Sequence, residues 1–295
     1  MTNDIIVFDR VSYVYGEKTP NEKLALDEVE IKIHGGGITG IIGHTGSGKS
    51  TLLQLMNGLL KPKSGRIFLE GKDIHADKSK LRSVRFRVGL VFQYPEYQLF
   101  EETVRKDIAF GPKNMGLEDD EIERRVKNAL DFVGLPEEYL EKSPFDLSGG
   151  EKRRVAIAGI IAMEPKILVL DEPAAGLDPI GRAEIFTGLE KYRSSNPDSS
   201  VVIVSHSMED MARYCDRIIV MNNSKVMMSG TPKEVFSRGD EIRSSGLDLP
   251  QVTRIMRELE KKGMPVRTDI YTVSEAADEI KRVLALRGGE GKDAD

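Results

Sequence analysis

ITGIIGHTGSGKSTLLQLMNGLL, residues 38–60, joins an unbroken apolar run, a glycine-rich octet and a helical pattern. The run ITGIIG (38–43) has no polar alternation, which predicts a strand buried on both faces. The octet Gly43-His44-Thr45-Gly46-Ser47-Gly48-Lys49-Ser50 fits G-x-x-x-x-G-K-[ST] between that strand and the helix STLLQLMNGLL. Glycines let successive backbone N–H groups curl around a phosphate, and the helix behind them presents its positive end. Lys49 adds a point charge for the β- and γ-phosphates of a nucleotide, and the Ser50 hydroxyl can ligate Mg2+. Thr51 completes the candidate phosphate-binding set, while His44 is read as a filler whose backbone alone matters. These residues imply nucleotide binding and leave open what the energy is used for.

Outward from this stretch, RVGLVFQ (87–93), KILVLD (166–171) and SVVIVSH (200–206) are further near-continuous apolar runs and read as parallel core strands. Helical patterns at about 119–134, 150–163, 179–195 and 207–214 lie between and after them, which predicts an α/β sheet with helices on its faces. DIIVFDRV (4–11) and VEIKI (29–33) alternate and suit antiparallel strands near the start. Beyond about 238 no core-strand run occurs. Two amphipathic helices, roughly 250–262 and 274–287, precede GGEGKDAD, a Gly-rich charged tail expected to be disordered. The chain therefore reads as a main domain, 1–238, and a helical appendage, 239–295.

LVLDEP sets Asp171 and Glu172 at the carboxyl end of a buried strand, the edge where open α/β sheets gather ligands. Asp171 is placed to reach Mg2+, directly or through water, and Glu172 to polarise an attacking water as general base. An acid pair there can also be a solvated turn, but the phosphate loop favours the chemical reading. His206 falls at the same edge, within reach of a γ-phosphate. His34 and His75 receive no role.

The composition narrows the function classes. With 295 residues, 31% charged and a net charge of −5, the chain has interspersed charge and no polybasic block. Neither nucleic acid nor an anionic lipid surface is electrostatically favoured as a partner. VVIV (201–204) and ILVL (167–170) fall far short of the roughly 18 residues a spanning helix needs. MTNDIIVFDR does not read as a secretory signal. The single cysteine, Cys215, forms no internal disulfide and reads as a buried hydrophobe in a reduced compartment.

LSGGEKRR (147–154) precedes the carboxylate strand. Ser148 with Glu151 three residues on forms a capping box, and a helix start carrying Ser and two glycines is also an anion cradle. One domain cannot apply two such cradles to one γ-phosphate, so the second implies a partner domain. At these residues the sequence resembles the ATP-binding cassette (ABC) family over nearly all of 1–238. LSGGE is similar to the family's signature, with Glu151 where Gln is more usual. Gln93 resembles the glutamine that touches the metal and reports nucleotide state to membrane subunits. AAGLDP (174–179) resembles the D-loop, with Asp178 also a helix N-cap before Pro179. His206 matches the switch histidine, and Tyr15 in VSYVYG fits the aromatic that stacks on adenine, with Tyr13 the competing choice.

The resemblance implies a P-loop NTPase of the ABC cassette fold. It would combine a mainly parallel core sheet, an N-terminal antiparallel β subdomain, a helical subdomain at about 94–163 and a C-terminal helical extension serving dimerisation. It also implies a head-to-tail dimer sandwiching two ATP with Mg2+. Lys49 and Glu172 of one subunit would face Ser148, Gly149 and Gly150 of the other. The short interval between phosphate loop and signature excludes coiled-coil relatives, and one copy of each motif excludes two-cassette relatives. FQYPEYQLFEETVRKDIAFGP (92–112) is similar to the corresponding segment of energy-coupling factor transporter ATPases, and LSGGEKRRVAIAGIIAMEP to their second, primed type. Tyr94, Tyr97, Leu99 and Phe100 would offer a docking face to a partner helix. This closer likeness implies a peripheral ATPase on the cytoplasmic face of the cell membrane. It would pair with a second cassette (a related chain or a second copy) and with coupling and substrate-binding membrane subunits, to import a vitamin or metal ion. The competing expectations are the ATPase of another small-solute ABC importer and a soluble ABC ATPase acting as a mechanical switch.

Overall fold

The computed structural model describes residues 4–289. An antiparallel sheet opens the chain: β1 (Asp4–Tyr15) lies between β2 (Lys23–His34) and β4 (Ser64–Leu69), with β5 (Lys72–Asp73) on the edge. Ile6, Phe8 and Val11 of β1 and Val29, Ile31 and Ile33 of β2 are buried, so the period-2 pattern gives this sheet one apolar face.

The second sheet runs β10-β9-β3-β8-β7-β6. Its members are β3 (Ile38–Gly43), β6 (Val88–Val91), β7 (Ile167–Asp171), β8 (Ser200–Val204), β9 (Arg217–Asn222) and β10 (Lys225–Gly230). Every neighbouring pair is parallel except β9 with β10. The unbroken apolar runs are explained by two cores, one on each face. Ile41, Val169, Val202 and Val204 pack toward the antiparallel sheet with Leu52 and Leu53 of α1 (Lys49–Met56). Ile42, Leu168, Leu170, Val201 and Ile203 face the opposite core. A strand whose two sides are both covered favours apolar residues at nearly every position, Thr39 and Ser200 being buried polar exceptions.

That opposite core is closed by helices. α2 (Leu81–Arg87) leads into β6, and α3 (Val104–Met115), α4 (Asp119–Phe132) and α5 (Gly149–Ile161) come after it. Ile108, Val126, Ala129, Val155 and Ala158 interlock among the last three. α6 (Pro179–Ser195) adds Ile185, Phe186 and Leu189, and α7 (Met208–Tyr214) adds Met208 and Met211. Cys215 is buried, and burial pushes its thiol pKa up, so it packs as the expected small hydrophobe.

Four strands, β4, β5, β9 and β10, lie outside the runs the sequence reading picks out. β4 carries three exposed residues before its buried ones, and β9 buries only four. Their patterns are too short to separate from a loop without the strands they pair with.

α8 (Pro232–Ser237) and α9 (Gly239–Ser244) lead to α10 (Gln251–Lys261) and α11 (Val273–Gly289). The last two share a small core of Val252, Met256, Val266, Ile270, Ala276 and Val283, and the Thr253 hydroxyl donates to the Ile270 carbonyl at 2.6 Å. Phe236 and Tyr271, with ring centroids 5.8 Å apart, join this pair to the body. Gly288 and Gly289, expected in a disordered tail, belong to α11, because the helix continues past 287. Residues 290–295 of that expected tail lie outside the described residues. No helix of the described residues is long and apolar enough to cross a membrane.

Candidate nucleotide-binding site

β3, β8 and β7 are parallel neighbours, so their carboxyl ends meet at one edge of the sheet. A cleft of about 240 Å3 opens there, lined by Thr45, Gly46, Gly48, Lys49, Ser50, Thr51, Gln93, Asp171, Glu172 and His206, with Tyr15 on its rim. Residues scattered over nearly 200 positions of sequence thus share one pocket.

The loop's shape arises from its glycines. Gly48 adopts φ +106°, and a Cβ there would stand 2.5 Å from the Ala25 carbonyl; at Gly43 it would stand 2.5 Å from the Met221 carbonyl. The Ser47 N–H donates to the His44 carbonyl at 3.1 Å, closing the turn. Lys49 is 8% exposed and its ammonium donates to the carbonyls of Gly43 at 2.6 Å and His44 at 3.0 Å. Burial lowers its pKa, against the pull of Asp171 and Glu172. His44 turns its ring away: Nδ1 lies 2.9 Å from the Thr45 carbonyl, and Nε2 lies 3.4 Å from the Asn223 N–H.

Opposite the loop, the Ser50 hydroxyl donates to Asp171 Oδ2 at 2.8 Å. Burial raises the Asp171 pKa, with Ser50 and Lys49 acting the other way. Hydroxyl, carboxylate and the nearby Gln93 amide form a hard-oxygen set suited to Mg2+, which binds through few protein groups and keeps water and phosphate oxygens. Among the described residues no cluster of three or more His, Cys, Asp or Glu could hold a metal. Glu172 is 9% exposed and sits at φ +53°, where a non-glycine side chain is strained. Burial, then the neighbouring Asp171, pushes its pKa up to about 7, a value suited to a general base. Its Oε1 is buried without a hydrogen-bond partner among the described residues and lies 3.6 Å from His206 Nε2, too long for a hydrogen bond. His206 sits two residues past the end of β8 rather than on it, in the turn capped by Ser207. Burial lowers its pKa.

Tyr15 ends β1 at 38% exposure, its hydroxyl 3.2 Å from Thr51 Oγ1 and its ring edge-on to Tyr13 at 4.9 Å. Tyr13 packs against the core, which leaves Tyr15 as the ring available to the cleft.

Ser148, Gly149, Gly150 and Asp178 do not line this cleft. The capping box forms: Glu151 accepts from the Ser148 N–H at 2.8 Å and from its hydroxyl at 2.7 Å. With the Tyr139 hydroxyl also donating, Glu151 is held at a pKa of about 2. Asp178 caps α6, accepting from the Gly181 N–H at 2.7 Å. A Cβ added at Gly149 would meet nothing within 4 Å, so no internal packing requires that glycine.

Sequence reasoning missed Lys23 and Ala25, which also line the cleft but come from β2 and carry no motif. It missed Arg182 as well. Its guanidinium donates to Ser207 Oγ at 2.7 Å and Asp210 Oδ2 at 2.5 Å, bracing the turn that holds His206. Nothing local in the sequence marks these contacts.

A phosphate loop and two further strand ends converging on one edge of a parallel sheet define a nucleotide-binding protein of the P-loop class. Residues 26–175 match the family model described as ABC transporter. The energy-coupling factor transporter ATP-binding protein EcfA2 of Caldanaerobacter subterraneus subsp. tengcongensis is 52% identical over 279 residues, covering 95% of this chain and 97% of the relative. Among solved structures, cbiO1 from Clostridium perfringens, part of the ABC transporter complex cbiONQ, superposes with a TM-score of 0.73. It is 41% identical and covers 86% of this chain and 99% of its own. The dimeric bacterial ABC transporter cassette MJ0796 gives a TM-score of 0.70 at 28% identity, covering 77% of this chain and 98% of its own. The chain belongs to the ABC transporter family and, within it, to the ATP-binding proteins of energy-coupling factor transporters.

Proposed function

We propose that this chain binds and hydrolyses ATP with Mg2+ to power inward transport of a vitamin or metal ion through an energy-coupling factor transporter. The observation that carries this reading is the single cleft shared by Lys49, Ser50, Gln93, Asp171, Glu172 and His206. In it the loop amides from Gly43 to Ser50, with Thr51, hold the nucleotide phosphates, and Lys49 offsets their charge. Ser50, Asp171 and Gln93 hold Mg2+, which when bound neutralises charge on the phosphate oxygens. Glu172 accepts the proton of the attacking water, His206 orients the γ-phosphate, and Tyr15 stacks on adenine.

Ser148, Gly149 and Gly150 form a second cradle away from this cleft, and the exposure of Ser148 and the open space around Gly149 support a head-to-tail sandwich in which they complete the site of another cassette. Asp178 would lie at the same seam. The likeness to a dimeric cassette agrees with this, and the likeness to proteins named EcfA2 favours a related but distinct cassette as partner. Closure of the sandwich would couple hydrolysis to reopening, because ATP binds the closed state better. Residues 1–238 would form the cassette, with 94–163 its helical subdomain. The small separate core of α10 and α11 supports 239–295 as an extension that serves dimerisation. Tyr94, Tyr97 and Phe100 are exposed, Leu99 is half-buried, and all four fit a face for a membrane subunit, which would hold the chain at the cytoplasmic side of the cell membrane.

The test is recovery of tagged chain from native membranes in mild detergent, with and without ATP. A second cassette and a membrane subunit should come with it. Recovery of the chain alone, with ATPase activity intact, would favour a soluble switch and sink the transporter reading.

A further inference from the structure

Arg153 lies on the first turns of α5, five residues past Ser148, and is only 4% exposed. Its guanidinium donates to two backbone carbonyls outside its own helix: Glu172, at 2.6 Å, and Ala175. Both belong to the turn just after β7. A guanidinium buried against carbonyls is costly unless it is well bonded and its charge is offset. Here burial lowers the Arg153 pKa, Glu96, Tyr94 and Glu172 pull the other way, and Nε is buried with no hydrogen-bond partner among the described residues.

The position of these bonds matters more than their number. Glu172 holds φ +53°, a strained conformation for a non-glycine residue that persists only where its surroundings fix it. Its N–H donates to the Val204 carbonyl at 2.9 Å, and its own carbonyl accepts from Arg153 at 2.6 Å and, within the turn, from the Ala175 N–H at 3.2 Å. One anchor comes from β8 and the other from the helix that starts at the signature glycines. With the backbone pinned at both ends, the carboxylate is directed into the cleft, where Oε1 has no hydrogen-bond partner among the described residues to hold it. The aim of Glu172 is thus set chiefly by its backbone, with the backbone of His206 the neighbouring group that acts on the carboxylate.

We propose that Arg153 is a positioning residue for hydrolysis, which sets the backbone of Glu172 and thereby ties the carboxylate in one nucleotide site to the signature helix that serves the other. This rests on the ATPase reading above. Within one chain, α5 begins at the cradle for the partner's nucleotide, while its Arg153 grips the turn that carries the base for the chain's own. Movement of α5 on sandwich closure would therefore be transmitted to Glu172 through two hydrogen bonds. Lysine reproduces them only in part, because its ammonium is a point charge on a flexible stem rather than a pre-organised planar fork.

The test is ATPase kinetics on the complex recovered with the partner cassette, carrying this chain as wild type, Arg153→Met or Arg153→Lys, with thermal unfolding of each. Arg153→Met keeps the apolar stem and should lower kcat about tenfold or more, with KM for ATP nearly unchanged, since binding groups are untouched and only aim is lost. Arg153→Lys should recover part of that loss. Adding Arg153→Met to Glu172→Gln should cause little further loss, because residues acting through one group are not additive. Wild-type kcat in Arg153→Met, a KM that rises in step with the loss, or multiplied losses in the double variant would overturn the proposal. Should Arg153→Met not fold, the same kcat-against-KM split in Arg153→Lys decides it. A wild-type complex that does not hydrolyse ATP would overturn the ATPase reading and the proposal together; a wild-type rate retained in the Arg153→Met complex overturns the proposal alone.

Discussion

The Ser50 hydroxyl donates to Asp171 Oδ2 across 121 residues of sequence, at 2.8 Å. Ser50 comes from the helix behind the phosphate loop and Asp171 from the end of β7, so two elements must be in register for the pair to exist. Asp171→Asn keeps the volume and removes the charge. Hydrolysis should fall by about 100-fold, equal to about 2.7 kcal/mol of barrier, and the Mg2+ concentration for half-maximal rate should rise. A Mg2+ titration that overlays wild type would remove Asp171 from the metal.

Glu172→Gln should bind ATP as wild type does and hydrolyse it roughly 100- to 10,000-fold more slowly. The ATP-bound sandwich should then persist through gel filtration in the presence of the partner cassette. Turnover near wild type would take the base role from Glu172.

Tyr15 tests the adenine face. Removing the ring in Tyr15→Ala should cost about 1–3 kcal/mol of nucleotide affinity, the usual worth of base stacking. Tyr15→Phe loses only the contact with Thr51 and should stay close to wild type by calorimetry. Equal losses in both variants would mean that the hydroxyl, rather than the ring, is what matters.

Glu279 gives a pH prediction in the C-terminal pair of helices. Its carboxylate is almost wholly buried and accepts from Arg282 at 2.6 Å and from the Arg267 N–H at 2.8 Å. Arg282, then Arg267, holds its pKa at about 2, below the ordinary 4.5. A carboxylate with a depressed folded-state pKa stabilises fully above the unfolded value, and that stabilisation is lost as pH falls from there toward about 2. Hydrogen exchange of 251–286, corrected for intrinsic rates, should show protection falling over that window. Glu279→Gln should be less protected at neutral pH and lack the fall. A variant protected like wild type at neutral pH would discount the pairing.

Sequence alone determined the parts whose information is local. ITGIIG, KILVLD and SVVIV are covered on two faces, so their patterns survive any context, and the strands appear at 38–43, 167–171 and 200–204. The phosphate loop was equally legible, because Gly48 must reach φ +106° and Lys49 must come directly after it whatever lies around them. Ser148 with Glu151, and Asp178 with Pro179, state their helix starts in the capping chemistry itself. β9 and β10 were not legible, since β9 is a strand by virtue of pairing with β3, which lies far away in sequence. Only the tertiary structure decided that Tyr15 rather than Tyr13 meets the cleft, that Lys23 and Ala25 line it, and that Arg153 grips the carbonyl of Glu172. Spacing can specify which groups are present, but distance between separate elements is set by packing. The aim of Glu172, with its backbone held from β8 and from α5, exists only once those elements are assembled.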